Sequence, residues 1–151
     1  MPGLPGDYMR IAYYRLTLDE CSLESRIQFG SFFAHPQAKV ARGVYIGSYC
    51  VLGRTSIGER TQIASGVQIL SGGQQHRRDA EGRISGAEHG IFETVPIGAD
   101  CWIGARAIVM AEVGEKTTIG AGSVVVRPIP PGCTAVGSPA TIIDKSRERM
   151  S

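Results

Sequence analysis

Aliphatic residues recur at every sixth position over much of this chain: Val40, Ile46 and Leu52, then, after a five-residue step, Ile57, Ile63 and Ile69. A second series runs Ile97, Ile103 and Val109 and, after a four-residue step, Val113, Ile119 and Val125. Four residues after many of these leads stands another small or apolar side chain: Val44, Cys50, Thr61, Val67, Cys101, Thr117, Ser123. A helix needs apolar spacing near 3.6, which this series does not have. A meander of longer strands would alternate with period two and turn through Asn-Gly hairpins, yet the sequence contains no Asn. A hexad with an inward lead residue predicts a coil of very short strands, each strand one flat side of a prism. Gly or a small residue then serves each corner, where the backbone turns sharply. Three hexads close one triangular coil, and coils stack as parallel strands ~4.8 Å apart with their leads aligned into interior columns. An Ile- and Gly-rich sandwich is the competing fold, and the number of hexads in one register disfavours it.

The period stops at both ends and once in the middle. Residues 7–18 predict a short amphipathic helix with Asp7 as N-cap and Tyr8, Ile11 and Leu18 near one face. Such a helix would cover the open sheet edge at the end of the coil. At the other end Ile142 and Ile143 make the last apolar contact, and 144–151 reads as a solvated tail. Between Ile69 and Ile97 a polar excursion (71–96) carries His76, Arg77, Arg78, Asp79, Glu81, Arg83, Glu88, His89 and Glu93. An irregular segment set into a rigid repeat is where chemistry concentrates.

Composition narrows the class. The 151 residues suit one domain, and 20 Gly is well above the usual ~7% share without any collagen period. Sixteen Lys+Arg against fourteen Asp+Glu leave +2 with no long run of like charge, which argues against a nucleic-acid binder or a polybasic membrane anchor. No apolar stretch approaches the ~20 residues of a membrane span, and the first residues lack a secretory pattern, so a cytoplasmic protein is expected. Cys21, Cys50, Cys101 and Cys133 are scattered without metal-ligand spacing, which reads as reduced, mostly buried thiols.

The pattern [Ile/Val/Leu]-[Gly/Ala]-x-x-[small]-x over roughly residues 27–143 resembles the hexapeptide-repeat acyltransferases. Its most specific stretch is "PIGADCWIGARAIVM…IGAGSVVVRPIPPGCTAVGSPATII", which is similar to the maltose/galactoside and polysaccharide O-acetyltransferase branch. The resemblance implies an all-β left-handed parallel β-helix, assembled as a homotrimer with active sites between subunits. It also implies acetyl transfer from acetyl-CoA to a hydroxyl of a sugar or polysaccharide precursor, without a metal.

The branch's catalytic stretch, His-x-x-Asp-x-x-x-Arg-x-x-Gly-x-Glu, has its counterpart in His76, Asp79, Arg83, Gly86 and Glu88. By that resemblance His76 is the general base and Glu88 its orienting partner, with Asp79 and Arg83 toward the acceptor. Neutral imidazole suits removal of a hydroxyl proton near pH 7, and a carboxylate on the other ring nitrogen would fix its tautomer. Coenzyme A is expected along Ala105, Ala121, Gly122, Val126 and Arg127, the guanidinium meeting a phosphate. Trp102 is expected to point outward and floor the site. The branch's usual acceptor-contacting Asn has no counterpart, so no particular sugar is implied. An amine acceptor, a non-catalytic scaffold and a γ-type carbonic anhydrase are the competing functions. The last would need three zinc-binding His, and His35, His76 and His89 lack that family's spacing.

Overall fold

A computed structural model describes residues 1–72, 76–86 and 92–143. The chain opens with helix α1 (Gly3–Thr17) and then coils in two- to four-residue strands. The first coil is β1 (Glu20–Cys21), β2 (Arg26–Ile27) and β3 (Phe32–Phe33). The second is β4 (Lys39–Val40), β5 (Tyr45–Ile46) and β6 (Val51–Leu52), and the third β7 (Thr55–Ile57), β8 (Gln62–Ile63) and β9 (Gln68–Ile69). After the excursion come β10 (Val95–Ile97), β11 (Trp102–Ile103) and β12 (Ile108–Val109). Val113 then bridges to Ile97, and β13 (Thr118–Ile119) and β14 (Val124–Val125) complete a fifth coil. A partial sixth has Ile129 bridged to Val113, then β15 (Thr134–Gly137), against which β16 (Ala140–Ile142) turns back antiparallel.

Strands of successive coils stack on the same three faces, so the solenoid has three parallel sheets. Face 1 holds β1, β4, β7 and β10; face 2 holds β2, β5, β8, β11, β13 and β15 with β16 at its edge; face 3 holds β3, β6, β9, β12 and β14. The predicted columns are its core. Ile27, Ile46, Ile63, Ile103 and Ile119 are stacked in register behind face 2 and fully buried. Leu52, Ile69, Val109 and Val125 do the same behind face 3. The small corner residues singled out in the sequence, Val44 through Ser123, are buried as well. The polar ones are paired: Thr61 Oγ1 donates to Gly98 O at 2.7 Å and accepts from Cys101 N at 3.1 Å, tying the third coil to the fourth. Burial raises the thiol pKa values of Cys21, Cys50 and Cys101, which packs them as small apolar residues rather than reactive thiolates.

Corner 1 joins faces 1 and 2, corner 2 joins faces 2 and 3, and corner 3 returns the chain to face 1. The first two share one turn geometry, in which, apart from corner 1 of the first coil, a single residue per coil has positive φ. That residue is Gly43, Arg60, Asp100, Lys116 and Gly132 at corner 1, and Gly30, Tyr49, Gly66, Arg106 and Gly122 at corner 2. Close stacking explains several of the glycines after lead residues. A Cβ on Gly104 would sit 2.5 Å from the Ala121 backbone nitrogen.

The helix departs from expectation in detail. It runs Gly3–Thr17 rather than 7–18, Pro2 holds the N-cap position, and Asp7 lies inside the first turns. There Asp7 pairs with Arg10 and accepts from Gln28 Nε2 at 3.1 Å, while Arg10 Nε donates to Ile27 O at 2.8 Å. The acid therefore anchors the helix to the first coil instead of capping it. Ile11 and Leu18 pack inward as expected, but Tyr14 takes the third inward place and Tyr8 faces solvent.

Candidate active site

The excursion leaves the solenoid at corner 3, the one corner with no fixed turn. Extending the face 3 register by two residues aligns His35, Arg54, Ser71, Ala111 and Arg127 on successive coils along this ridge. The loop departs after Ser71, in the middle of the row. Its foot is tied at several points. Ser71 Oγ accepts from Arg54 N at 2.8 Å, and Ser71 O accepts from Glu93 N at 3.0 Å. Arg54 O accepts from Val95 N at 2.9 Å, and Arg54 Nη1 donates to Phe92 O at 3.2 Å. The Phe92 ring packs on His35, centroids 4.9 Å apart and tilted by 53°. Arg54 Nε is buried there without a hydrogen-bond partner among the described residues.

The described part of the loop is a small hairpin. Arg78 and Ile84 pair as an antiparallel bridge, and Ser85 N donates to Arg77 O at 2.7 Å. Asp79 organises its tip: Oδ1 accepts from Glu81 N at 3.0 Å and Arg83 N at 2.9 Å, and Oδ2 accepts from Arg83 Nε at 2.9 Å. The backbone N–H of Arg83 and its guanidinium hold the Asp79 carboxyl below its ordinary pKa. Asp79 and Arg83 thus meet each other, and what they visibly do is shape the hairpin. His76 stands at its start with an exposed ring. Glu88 and His89, the loop's other histidine and hence the alternative base, lie outside the described residues, as does the 144–151 tail.

The residues expected to meet coenzyme A divide between the two edges of face 3. Ala105, Ala121 and Gly122 are exposed at corner 2 on adjacent coils, Gly122 N donating to Ala105 O at 2.8 Å. Gly122 has φ +69°, and the place of its missing Cβ is open, with no atom within 4 Å. A chain such as pantetheine can reach the backbone there. Val126 and Arg127 are exposed at corner 3, where Val126 borders a shallow depression with Glu93, Thr94, Met110 and Pro128. Arg127 makes no ion pair with a described residue, which leaves its guanidinium available to a phosphate. Trp102 points outward and is 50% exposed, but it sits on face 2, across the prism from corner 3.

An exposed imidazole on a braced hairpin can act as a base toward a hydroxyl held at its side. Cys21, Cys50 and Cys101 are buried and so are not placed to form an acyl-enzyme, while the fourth thiol, Cys133, is half-buried. Among the described residues no group of three His, Cys, Asp or Glu could hold a metal ion. Sequence reasoning passed over Arg54 and Phe92. Arg54 lies within the five-residue step from Leu52 to Ile57, one of several unequal steps at this corner, which does not by itself mark it.

Comparison with known proteins agrees with the repeat. Residues 94–127 match the family model described as "Hexapeptide repeat of succinyl-transferase". Serine acetyltransferase of Salmonella typhimurium is 40% identical over 112 residues, covering 74% of this chain and 37% of that enzyme. Its counterpart from Synechococcus elongatus is 36% identical over 120 residues, covering 77% of this chain and 44% of the relative. The chain therefore spans less than half the length of these curated relatives. Among solved structures, a maltose O-acetyltransferase from Clostridium difficile 630 superposes with a TM-score of 0.63 at 26% identity, covering 95% of this chain and 78% of that one.

Proposed function

This chain belongs to the hexapeptide-repeat acyltransferase family, and from that premise we propose that it transfers an acetyl group from acetyl-CoA to a hydroxyl. The acceptor is a sugar or polysaccharide precursor, and the relatives' name adds a hydroxy amino acid to the candidates. His76 takes the hydroxyl proton as the oxygen attacks the thioester carbonyl, and the thiolate of coenzyme A leaves and is protonated. Glu88 positions the His76 ring. A backbone N–H of a neighbouring coil stabilises the oxyanion.

The observation that carries this reading is the place of the loop: the base rises from the ridge that ends at Arg127. The split of the cofactor residues adds a second point. Corner 2 and corner 3 of one chain are opposite edges of face 3, and Trp102 lies on the face opposite the loop. A site lined by all of them forms when corner 3 of one copy meets corner 2 of the next, which a closed trimer provides three times. A prism this thin also gains stability by association.

Mixing two inactive variants tests both points. His76→Ala removes the base at corner 3, and Ala121→Trp blocks the pantetheine path at corner 2. Co-refolded at equal amounts, random trimers should recover about a quarter of wild-type thiol release, because one site in four draws both intact edges. A site contained within one chain would recover nothing, and an active monomer in sedimentation would also overturn the proposal.

A further inference from the structure

The partly buried guanidinium of Arg54 is engaged on one side only. Its Nη1 is spent on Phe92 O, its Nε is buried with no described partner, and no described carboxylate pairs with it. A buried donor left unmade is expensive, so such groups in native proteins have a partner to explain them. The guanidinium fork matches the two oxygens of a carboxylate or phosphate, and a low-dielectric site strengthens that grip. The Phe92 whose carbonyl takes Nη1 also packs its ring on His35.

We propose that Arg54 is the anion-binding element of the acceptor site: the hydroxyl compound that is acetylated carries a carboxylate or a phosphate monoester, and this oxyanion seats against the Arg54 guanidinium. The assignment rests on the acetyltransferase reading above and narrows its acceptor class. The ridge itself separates the roles of its two arginines. Arg54 and Arg127 lie three coils apart in the aligned row, ~14 Å between backbones, and the Arg54 guanidinium is turned to Phe92 O rather than along the row. The loop bearing His76 is rooted at Ser71, between them. An acceptor tethered at Arg54 and a cofactor held at Arg127 therefore approach the base from opposite sides.

Two measurements test this, one of them independent of catalysis. The Nε–H resonance of Arg54, assigned by its loss in Arg54→Lys, is followed while wild-type protein is titrated with sodium acetate and, separately, with inorganic phosphate. A saturable shift at Arg54 beyond that of exposed arginines is expected, and the stronger of the two titrations identifies the oxyanion. No shift, or the same drift at every arginine, overturns the proposal whatever the activity. Thiol release from acetyl-CoA is then compared across paired acceptors: L-serine and serinamide, N-acetylneuraminic acid and its methyl ester, glucose 6-phosphate and glucose. An anionic member should be preferred, and Arg54→Gln should lower its kcat/KM about tenfold or more, through KM, while sparing the neutral partner. If Arg54 only clips the loop to Phe92, both members fall together and the proposal fails. Saturable binding with no thiol release from any acceptor would instead fault the acetyltransferase reading and leave the anion site standing.

Discussion

Across corner 1 the chain takes the same number of residues in every coil: Cys21 to Ile27, Val40 to Ile46, Ile57 to Ile63, Ile97 to Ile103 and Val113 to Ile119 are all six-residue steps. Corner 2 keeps the same step from Ile27 to Phe33 through Ile119 to Val125. Corner 3 never does. Its steps run Phe33 to Val40, Leu52 to Ile57, Ile69 to Ile97, Val109 to Val113 and Val125 to Ile129. The first two corners are locked by the same positive-φ turn and the same inter-coil backbone bonds, such as Arg60 N to Arg42 O at 3.1 Å and Asp100 N to Glu59 O at 2.9 Å. Side chains are added where the stack allows. Asp100 receives two hydrogen bonds from Arg60, at 2.8 and 3.0 Å, which lower the Asp100 pKa and raise that of Arg60. Corner 3 has no one turn through the stack, although its last two passages share a four-residue step and equivalent bonds, Val113 N to Pro96 O at 3.0 Å and Ile129 N to Glu112 O at 2.9 Å. A solenoid needs its leads to land inward, and two rigid corners per turn achieve that. The third is then open to carry a loop, a base and two arginines at little cost to the core.

The regular part should be the least tolerant of change. Ile103→Ala, which empties the middle of the face 2 column, should destabilise the protein by about 2–5 kcal/mol in denaturant unfolding. A truncation on the ridge such as Arg127→Ala should leave that midpoint almost unmoved. A mild effect at Ile103 would mean that the columns do not carry the fold.

Arg127→Ala should instead appear in kinetics, as a higher KM for acetyl-CoA with kcat much less affected. Dephospho-coenzyme A sharpens the test, because it should lose less affinity in the variant than in the wild type. Equal losses would remove Arg127 from the cofactor site and leave corner 3 with the acceptor and the base alone.

The smallest effect concerns the turn that makes corners 1 and 2 alike. Arg106 holds φ +59° without an ion pair to a described residue, whereas its stacked neighbours Gly66 and Gly122 reach that region freely. Arg106→Gly should therefore stabilise by up to about 1 kcal/mol, offset in part by the looser unfolded chain, and raise Tm by a few degrees. A fall in Tm would mean that the Arg106 side chain contributes contacts worth more than its backbone strain.

The same contrast explains what could be read from the sequence. The interior columns were legible because six-residue spacing between aliphatic leads is a strong, repeated signal that tertiary packing has no reason to override. The excursion was legible as an interruption of it, and the place of His76 within it came from the family motif. Arg54 was not legible, since one arginine at one short corner looks like any solvated side chain until the loop closes over it. Asp79 and Arg83 had the right spacing for the motif, but spacing alone could not show that they grip each other. The helix was found while its inner face was misjudged. Met9, Tyr13 and Leu16 are exposed beside the buried Ile11 and Tyr14, so apolar residues line more than one side and periodicity cannot choose between them.

On this reading the irregular corner carries the base of an acetyl transfer, and two histidines of its loop, His76 and His89, compete for that role. Acetyl-CoA-dependent thiol release should be measured side by side for His76→Ala and His89→Ala, with cofactor binding checked in both. His76→Ala should lose roughly 10²–10⁴-fold in kcat, stay folded and still bind acetyl-CoA, while His89→Ala should retain most of its turnover. A dead His89→Ala beside a His76→Ala that turns over normally would contradict this reading.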